Sequence, residues 1–414
     1  MRIAFVVGDF PEVSETFISR KVDFLRANGH EVIVFRTQPR PFSPNTGRAG
    51  EQLCLEDLGP RKKGRVRSLF FHVKGLASLP LGGGSAGLVR RAYRVNALLR
   101  VPNYRRLAKS KPDLLHIHFA QNLAPIIGAG RVLKIPVVIS VLGKGEFDWL
   151  DLNRISQEAD VLVASSGYLI SEFRKKIGKE SAIELLPPEV PCSTFHFDRS
   201  YANDERVRIL TVARLNWRKG LLYALHAALE LKLRGLDFTW DIVGGGFEYK
   251  QLLETLNDLK LQDCVTLHGA KQPDELPRFY RRADVFVLPT LLEAFGVVLL
   301  EAQAAGIPVV STNLGGIPEA VRNLESAILV PPRDYPALAD ALERLIRDPE
   351  LRRRMGEAGR QYAQQFDIPV LGKRLLQIYE KAFELRHQKQ EPRLSETAAG
   401  SLERLQNSPS KEVP

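Results

Sequence analysis

Cysteine is scarce in this chain of 414 residues: Cys54, Cys192 and Cys264 lie far apart and form no C-x-x-C pair. That spacing excludes a disulfide framework and a zinc knuckle, and it fits a reducing compartment. Long apolar runs are missing too. The longest uncharged stretches, 114–130 and 302–318, are broken by His, Asn, Gln, Gly or Pro, and they fall short of the about 20 apolar residues that cross a bilayer. The opening "MRIAFVVGDF" has one basic residue and an apolar run too short for a secretory h-region, so a first strand and no signal peptide are expected. Acidic residues are absent from one long segment: 58–112 hold 14 Lys and Arg and no Asp or Glu.

What is present is 44% hydrophobic and 26% charged, the balance of a soluble globular protein, and the length suits two domains. The net charge of +11 sits in the first part: 1–190 hold 29 basic against 18 acidic residues, and the remainder holds 30 of each. Phe70, Phe71, Leu76, Leu79 and Leu81 lie among or beside the basic side chains of 58–112. That mixture predicts an anionic membrane surface as partner. A merely solvated basic surface ranks second and a nucleic-acid footprint third, so no nucleic acid is expected.

Along the chain, strand-like runs alternate with helical ones: "RIAFVVG", "HEVIVFRT", "DLLHIHFA", "PVVISVLG", "VLVASS" and "IELLP" in the first part. Such alternation predicts a parallel sheet covered on both faces. A Pro-rich polar stretch interrupts it near 186–208. The pattern then restarts with "VRILTVARL", "FTWDIVGGG", "VTLHGA", "DVFVLPT", "IPVVST" and "SAILVPP". The resulting division is a domain over 1–190 carrying the basic insert, a linker over 191–207, a second domain over 208–369, and an amphipathic helix over 370–387 packing back toward the first domain. The tail 388–414 lacks apolar periodicity and is expected to be disordered. Ligands of open parallel sheets lie at the carboxyl ends of the strands, so site residues should follow strands, in a cleft between the two sheets.

Several residues do. Arg214 and Lys219 stand between a strand and a helix, two cations beside free N–H groups that would seat a diphosphate. Gly244, Gly245 and Gly246 allow a close backbone approach but form neither G-x-G-x-x-G nor a Walker motif. His268 and Gly269 end another strand. Glu293 precedes Phe295, Gly296 and Val297, and Glu301 lies two turns along, within roughly 80° and about 12 Å of Glu293 on an ideal helix. "NLGGIPEAV" adds Gly315, Gly316 and Glu319.

In the first domain Gly8 ends a strand, and Ser14, Glu15, Thr16 and Phe17 start a helix, with Ser14 as cap. "HIH" carries His116 and His118; the two rings are taken to point to opposite faces, which speaks against zinc, and His118 is read as packed, with contact to acceptor or donor as the functional alternative.

The R-x4-K pair at Arg214 and Lys219, the E-x7-E pair at Glu293 and Glu301, "EAFGVVLLEAQAAGIPVVST" and "GGIPEAV" together resemble retaining glycosyltransferases of family 4. The close match covers about 205–335, and "FPEVSETFISRKVDFLRANGHEV" is similar to the openings of bacterial exopolysaccharide glycosyltransferases. The resemblance implies the GT-B fold, two Rossmann-like doubly wound α/β domains facing across a cleft. It also implies transfer of a hexose from a UDP- or GDP-sugar to a saccharide acceptor, lipid-linked in this reading, at the cytoplasmic face of the membrane, with no metal or other cofactor.

By the same resemblance Arg214 and Lys219 would hold the diphosphate. Glu301 would bind the ribose hydroxyls, and Glu293 with the N–H groups near Phe295, Gly296 and Val297 would bind the sugar. The backbone near His268 and Gly269 would meet the base. In that architecture the loop of Gly8, Ser14, Glu15 and Thr16 would face the cleft and contact acceptor or diphosphate, and His118 would touch acceptor or donor. Family members commonly carry a His-Gly pair where this chain reads "VVISVLGKGEFDWL"; Leu142 or Lys144 takes the histidine's place, Lys144 would supply an equivalent donor, and Asp148 is nearby. This departure supports a rival expectation, a non-catalytic nucleotide-sugar-binding scaffold of the same fold. An epimerase or phosphorylase is a weaker third.

Overall fold

The computed structural model describes residues 1–8, 16–37, 55–57, 102–120, 122, 126, 128–143, 152–177, 182–197 and 206–390. Residues 58–101 of the basic insert lie outside them, as do Ser14, Glu15, Lys144, Asp148 and the tail beyond 390.

Two parallel sheets form among these residues. The first contains β1 (Arg2–Val7), β2 (Glu31–Arg36), β3 (Leu55–Asp57), β4 (Leu114–His118), β5 (Val137–Val141), β6 (Val161–Ala164) and β7 (Ile183–Leu185). Their order is β3-β2-β1-β4-β5-β6-β7. The second contains β8 (Val207–Val212), β9 (Phe238–Val243), β10 (Val265–Gly269), β11 (Val285–Leu288), β12 (Val309–Thr312) and β13 (Ala327–Val330), ordered β10-β9-β8-β11-β12-β13. Each sheet is doubly wound, with its order reversing between β1 and β4 and again between β8 and β11. Those are the points where crevices open at the strands' carboxyl ends. Strand β3 carries no apolar run that would have announced it.

The buried runs follow from the two-residue period of strands. Ile3, Phe5 and Val7 face one core while Ala4 and Val6 face another, so both faces need cover, as parallel sheets require. The core containing Ile3 and Phe5 continues through Val190 and the linker residues Cys192 and Phe195 to Phe286 and Leu299 of the second domain. The outer face of the second sheet closes separately over Trp240, Leu225 and Leu342.

The chain crosses between the sheets twice, side by side. Val190 bridges Asp367, the Val190 N–H donates to the Phe366 carbonyl at 2.9 Å, and the Cys192 N–H donates to Asp367 Oδ1 at 3.1 Å. After the second crossing the helix Ile368–Gln390 runs back along the first sheet. Tyr379 Oη lies 2.8 Å from His116 Nδ1, and the Asp160 carboxylate meets Arg386 at 2.6 Å and Lys389 at 3.0 Å. Gly372 is required there, because a Cβ would stand 2.4 Å from the Phe24 ring.

Candidate active site

The carboxyl ends of β8 and β11 define the centre of the second domain's site. After β8 the chain makes a short 3-10 turn, Trp217–Lys219, capped by the Asn216 side chain accepting from the Arg218 N–H at 3.1 Å. Gly220 follows with φ +65, and a Cβ on it would lie 1.9 Å from the Pro289 carbonyl oxygen. Only glycine permits that approach. The Arg218 carbonyl then accepts from the Leu291 N–H at 2.6 Å and from Thr290 Oγ1 at 2.8 Å, which stitches the loop after β8 to the loop after β11.

The stitching brings Lys219 Nζ within 2.5 Å of Glu293 Oε2, with side chains only 18% and 15% exposed. Glu293 also accepts from the Ala294 N–H at 3.2 Å. Gly296, φ +92, then opens the helix Val297–Ala304, whose first N–H groups have no intrahelical partner. Phe295 turns away into the core against Phe366. Arg214 is exposed and no described acid pairs with it.

The three glycines after β9 pack onto the same loop. A Cβ on Gly244 would meet the Ala213 carbonyl oxygen at 1.8 Å, and one on Gly246 the Leu215 oxygen at 2.1 Å. The Leu215 N–H donates to the Gly245 carbonyl at 2.9 Å, and the Gly244 N–H to Gly269 at 2.9 Å. The run therefore supports the Arg214–Lys219 loop and joins it to the end of β10. There His268 Nε2 pairs with Asp241 Oδ1 at 2.7 Å, and Gly269 stands at φ +69 beside open space.

Glu301 occupies a different environment from Glu293. It is 6% exposed, accepts from Tyr280 Oη at 2.9 Å, and meets Arg20 of the first domain at 3.6 Å. Burial pushes its carboxyl above the usual range, while Arg20 and the Tyr280 hydroxyl pull the other way. Burial and the Glu301 charge together hold the Tyr280 phenol well above its ordinary value. Tyr280 and Arg20 escaped the sequence reading, since nothing in "RFYRRAD" or "ISRKVD" marks a partner for a glutamate far along the chain.

On the first-domain side Gly8 ends β1 beside Asn122, whose amide donates to the His118 carbonyl at 2.6 Å and accepts from Thr37 Oγ1 at 2.9 Å. Asn122 thus ties the ends of β1, β2 and β4, a role no motif announced. Thr16 opens the helix Thr16–Ala27.

The expectation for the two histidines requires correction. Residues two apart on a strand share a face, and the His116 and His118 rings stack with centroids 4.0 Å apart. His116 is held between Tyr379 Oη and Ser140 Oγ, each at 2.8 Å. His118 is packed between His116 and Phe5, and neither of its ring nitrogens has a partner among the described residues. Burial first, and then neighbouring positive charge, holds both imidazoles well below their ordinary value.

Comparison with known proteins agrees with this architecture. Residues 14–194 match the model described as Glycosyltransferase Family 4, and residues 193–362 match Glycosyl transferases group 1. The alpha-D-kanosaminyltransferase of Streptomyces kanamyceticus is 34% identical over 341 residues, covering 74% of this chain and 88% of that protein. The chain belongs to glycosyltransferase family 4.

Other members of the family align over shorter spans. A GDP-mannose-dependent alpha-(1-6)-phosphatidylinositol monomannoside mannosyltransferase of Mycobacterium tuberculosis is 32% identical over 265 residues, 58% of this chain and 66% of that one. The amylovoran biosynthesis glycosyltransferase AmsK of Erwinia amylovora is 43% identical over 145 residues, 34% and 36% of the two chains. Thus the match spans less than two thirds of those two relatives. In fold, HepE of Anabaena in complex with UDP and glucose superposes with a TM-score of 0.73 at 16% identity, over 92% of this glycosyltransferase and 99% of HepE. The two domains therefore have the GT-B fold. No helix among the described residues is long and apolar enough to cross a membrane.

Proposed function

We propose that this glycosyltransferase moves a hexose, with retention of configuration and without a metal, from a UDP- or GDP-sugar to a saccharide acceptor that is lipid-linked. The setting proposed is assembly of an exopolysaccharide or cell-surface polysaccharide on the cytoplasmic face of the membrane, which the basic segment 58–112 would contact. The observation that carries this reading is the Lys219–Glu293 pair, secured by two stitched loops, with Glu293 in the loop that leads into the helix Val297–Ala304 and Arg214, which pairs with no described acid, in the same loop as Lys219. Lys219 and Arg214 of one loop, with the start of a helix, are the groups that would meet a departing diphosphate. Glu293, released from Lys219 when the diphosphate takes the lysine, is then free to accept hydrogen bonds from sugar hydroxyls.

In the proposed step the bond between the sugar's anomeric carbon and the diphosphate oxygen breaks. The acceptor hydroxyl adds from the same face, and its proton passes to the departing phosphate. No side chain is assigned as base. The 2.9 Å Tyr280 contact and the Arg20 contact leave Glu301 pre-set as an acceptor for ribose hydroxyls. Support for the donor class comes from relatives and neighbours whose names include GDP-mannose and UDP, and support for the polymer setting from the AmsK relative.

The test is a screen of the purified chain against UDP-, GDP- and ADP-sugars with chelator present, reading thermal shift and release of nucleotide diphosphate. Slow hydrolysis of one stabilising donor is expected. Binding without turnover, with lipid-linked acceptors included, transfers the weight to the scaffold reading, which rests on Leu142 or Lys144 standing where the histidine of the His-Gly pair is expected.

A further inference from the structure

The helix Gly167–Ile177 of the first domain begins at the cleft, and its opening turn is completed by the other domain. An α-helix leaves its first N–H groups without intrahelical partners. Here Ser166 Oγ accepts from the Leu169 N–H at 3.2 Å, as an ordinary N-cap does. The remaining two donors go elsewhere. The Gly167 N–H donates to Glu319 Oε2 at 2.6 Å and the Tyr168 N–H to Glu319 Oε1 at 2.7 Å. A carboxylate in this position also answers the positive end of the helix dipole.

Glu319 is anchored in turn. Its carbonyl accepts from Tyr362 Oη at 2.9 Å. The glycines just before it, Gly315 and Gly316, press on the loop that carries Glu293: a Cβ at Gly315 would lie 2.2 Å from the Glu293 carbonyl oxygen, and one at Gly316 1.9 Å from that of Ala294. The Gly316 N–H donates to the Glu293 carbonyl at 3.3 Å. One continuous set of contacts therefore runs from the first domain's helix, through Glu319, to the backbone of Glu293.

We infer that Glu319 is a positioning residue: its carboxylate, both oxygens of which accept from backbone N–H groups of the first domain, ties that domain to the loop bearing Glu293, so that transfer depends on it. The inference rests on the proposed function for its kinetic consequence and on the hydrogen bonds for its structural one. The residues proposed to hold the nucleotide lie in the second domain, with Arg20 reaching Glu301 from the first by a separate contact, so nucleotide affinity should survive the loss of the Glu319 tie. Transfer needs both domains in register and should not.

The experiment compares the full chain with E319A, E319Q, G167P and the double variant E319A/G167P. Proline is tolerated at the first helical position and removes one of the two donors to Glu319 without breaking the helix. Small-angle scattering, UDP and GDP affinity, melting temperature and transfer rate are read for each. E319A is expected to enlarge the radius of gyration, to leave nucleotide affinity within about twofold, and to lower kcat by about tenfold or more. E319Q, which keeps one acceptor oxygen, should fall between. Adding G167P to E319A should change little further, because both remove the same bond.

An unchanged radius of gyration in E319A, or transfer within about twofold of wild type, overturns the inference. Parallel loss of melting temperature, nucleotide affinity and rate assigns Glu319 to folding alone and overturns it too. Should wild type turn over no donor, the proposed function fails, while scattering still decides whether Glu319 ties the domains.

Discussion

Replacing Lys219 by Met keeps the length of the side chain and removes its charge. The structure sets the cost to stability. Glu293 would remain about as buried as before, having lost a partner at 2.5 Å, with only its contact to the Ala294 N–H left. Breaking a fully buried pair costs about 3–5 kcal/mol and an exposed one about 0–1; at 15–18% exposure the expectation is about 2 kcal/mol. For a domain of this size that corresponds to a fall of about 4–8 °C in melting temperature.

Activity should fall much further. A preorganised charge aimed at a leaving group contributes about a hundredfold to a thousandfold in kcat. Differential scanning fluorimetry and release of nucleotide diphosphate, run on K219M, E293Q and K219M/E293Q, separate the two effects. The double variant removes the stranded carboxylate charge, so most of the lost stability should return while activity stays absent. Turnover by K219M within about tenfold of wild type would refute the assignment of the diphosphate to Lys219, and a melting temperature as low in the double variant as in K219M would refute the stranded-charge argument.

Three further outcomes follow from the geometry. Gly220→Ala forces a Cβ against the Pro289 carbonyl and should unpick the two loops, weakening UDP or GDP binding by about tenfold or more in calorimetry; unchanged affinity would show the stitching to be dispensable. Arg20→Met removes a cation that opposes the burial-raised Glu301 carboxyl. A carboxyl raised on folding contributes stability that is present below its ordinary value of 4.5 and is lost as pH rises through the raised one. The melting deficit of R20M should therefore grow from pH 4.5 toward neutrality, and a deficit independent of pH would sink the argument. Finally, the full chain should sediment with anionic vesicles and be released by salt, whereas equal retention on neutral vesicles would count against a membrane role for 58–112.

Much of the architecture was legible because parallel strands write themselves as short apolar runs ended by Gly or Pro, and each such run read from the sequence became a strand. Strand β3, "LED", has no apolar run and could only be found from its neighbour β2. The R-x4-K and E-x7-E spacings pointed to Lys219 and Glu293 because those residues are local to two strand ends. Glu301 was legible as a position but not as an environment, since Tyr280 and Arg20 reach it from other elements. The histidine pair was misread through a wrong period, not through missing information: the alternation of a strand already put His116 and His118 together. Glu319 stood out as part of "GGIPEAV", yet its partners are backbone N–H groups of another domain, and a backbone donor leaves no trace in residue identity.

The returning helix Ile368–Gln390 bears on the order of events during synthesis. His116 and Asp160 of the first sheet find Tyr379, Arg386 and Lys389 only in this helix. A ribosome delivers the first sheet early, and domains generally fold as they emerge. Here the Asp160 carboxylate, which accepts from the Val137 N–H within the first domain, meets both of its cations in the helix only once residue 389 has been made. The first half of the sequence alone would lack these contacts, and expressing 1–197 is expected to yield an aggregating product that a separately supplied 368–390 peptide rescues.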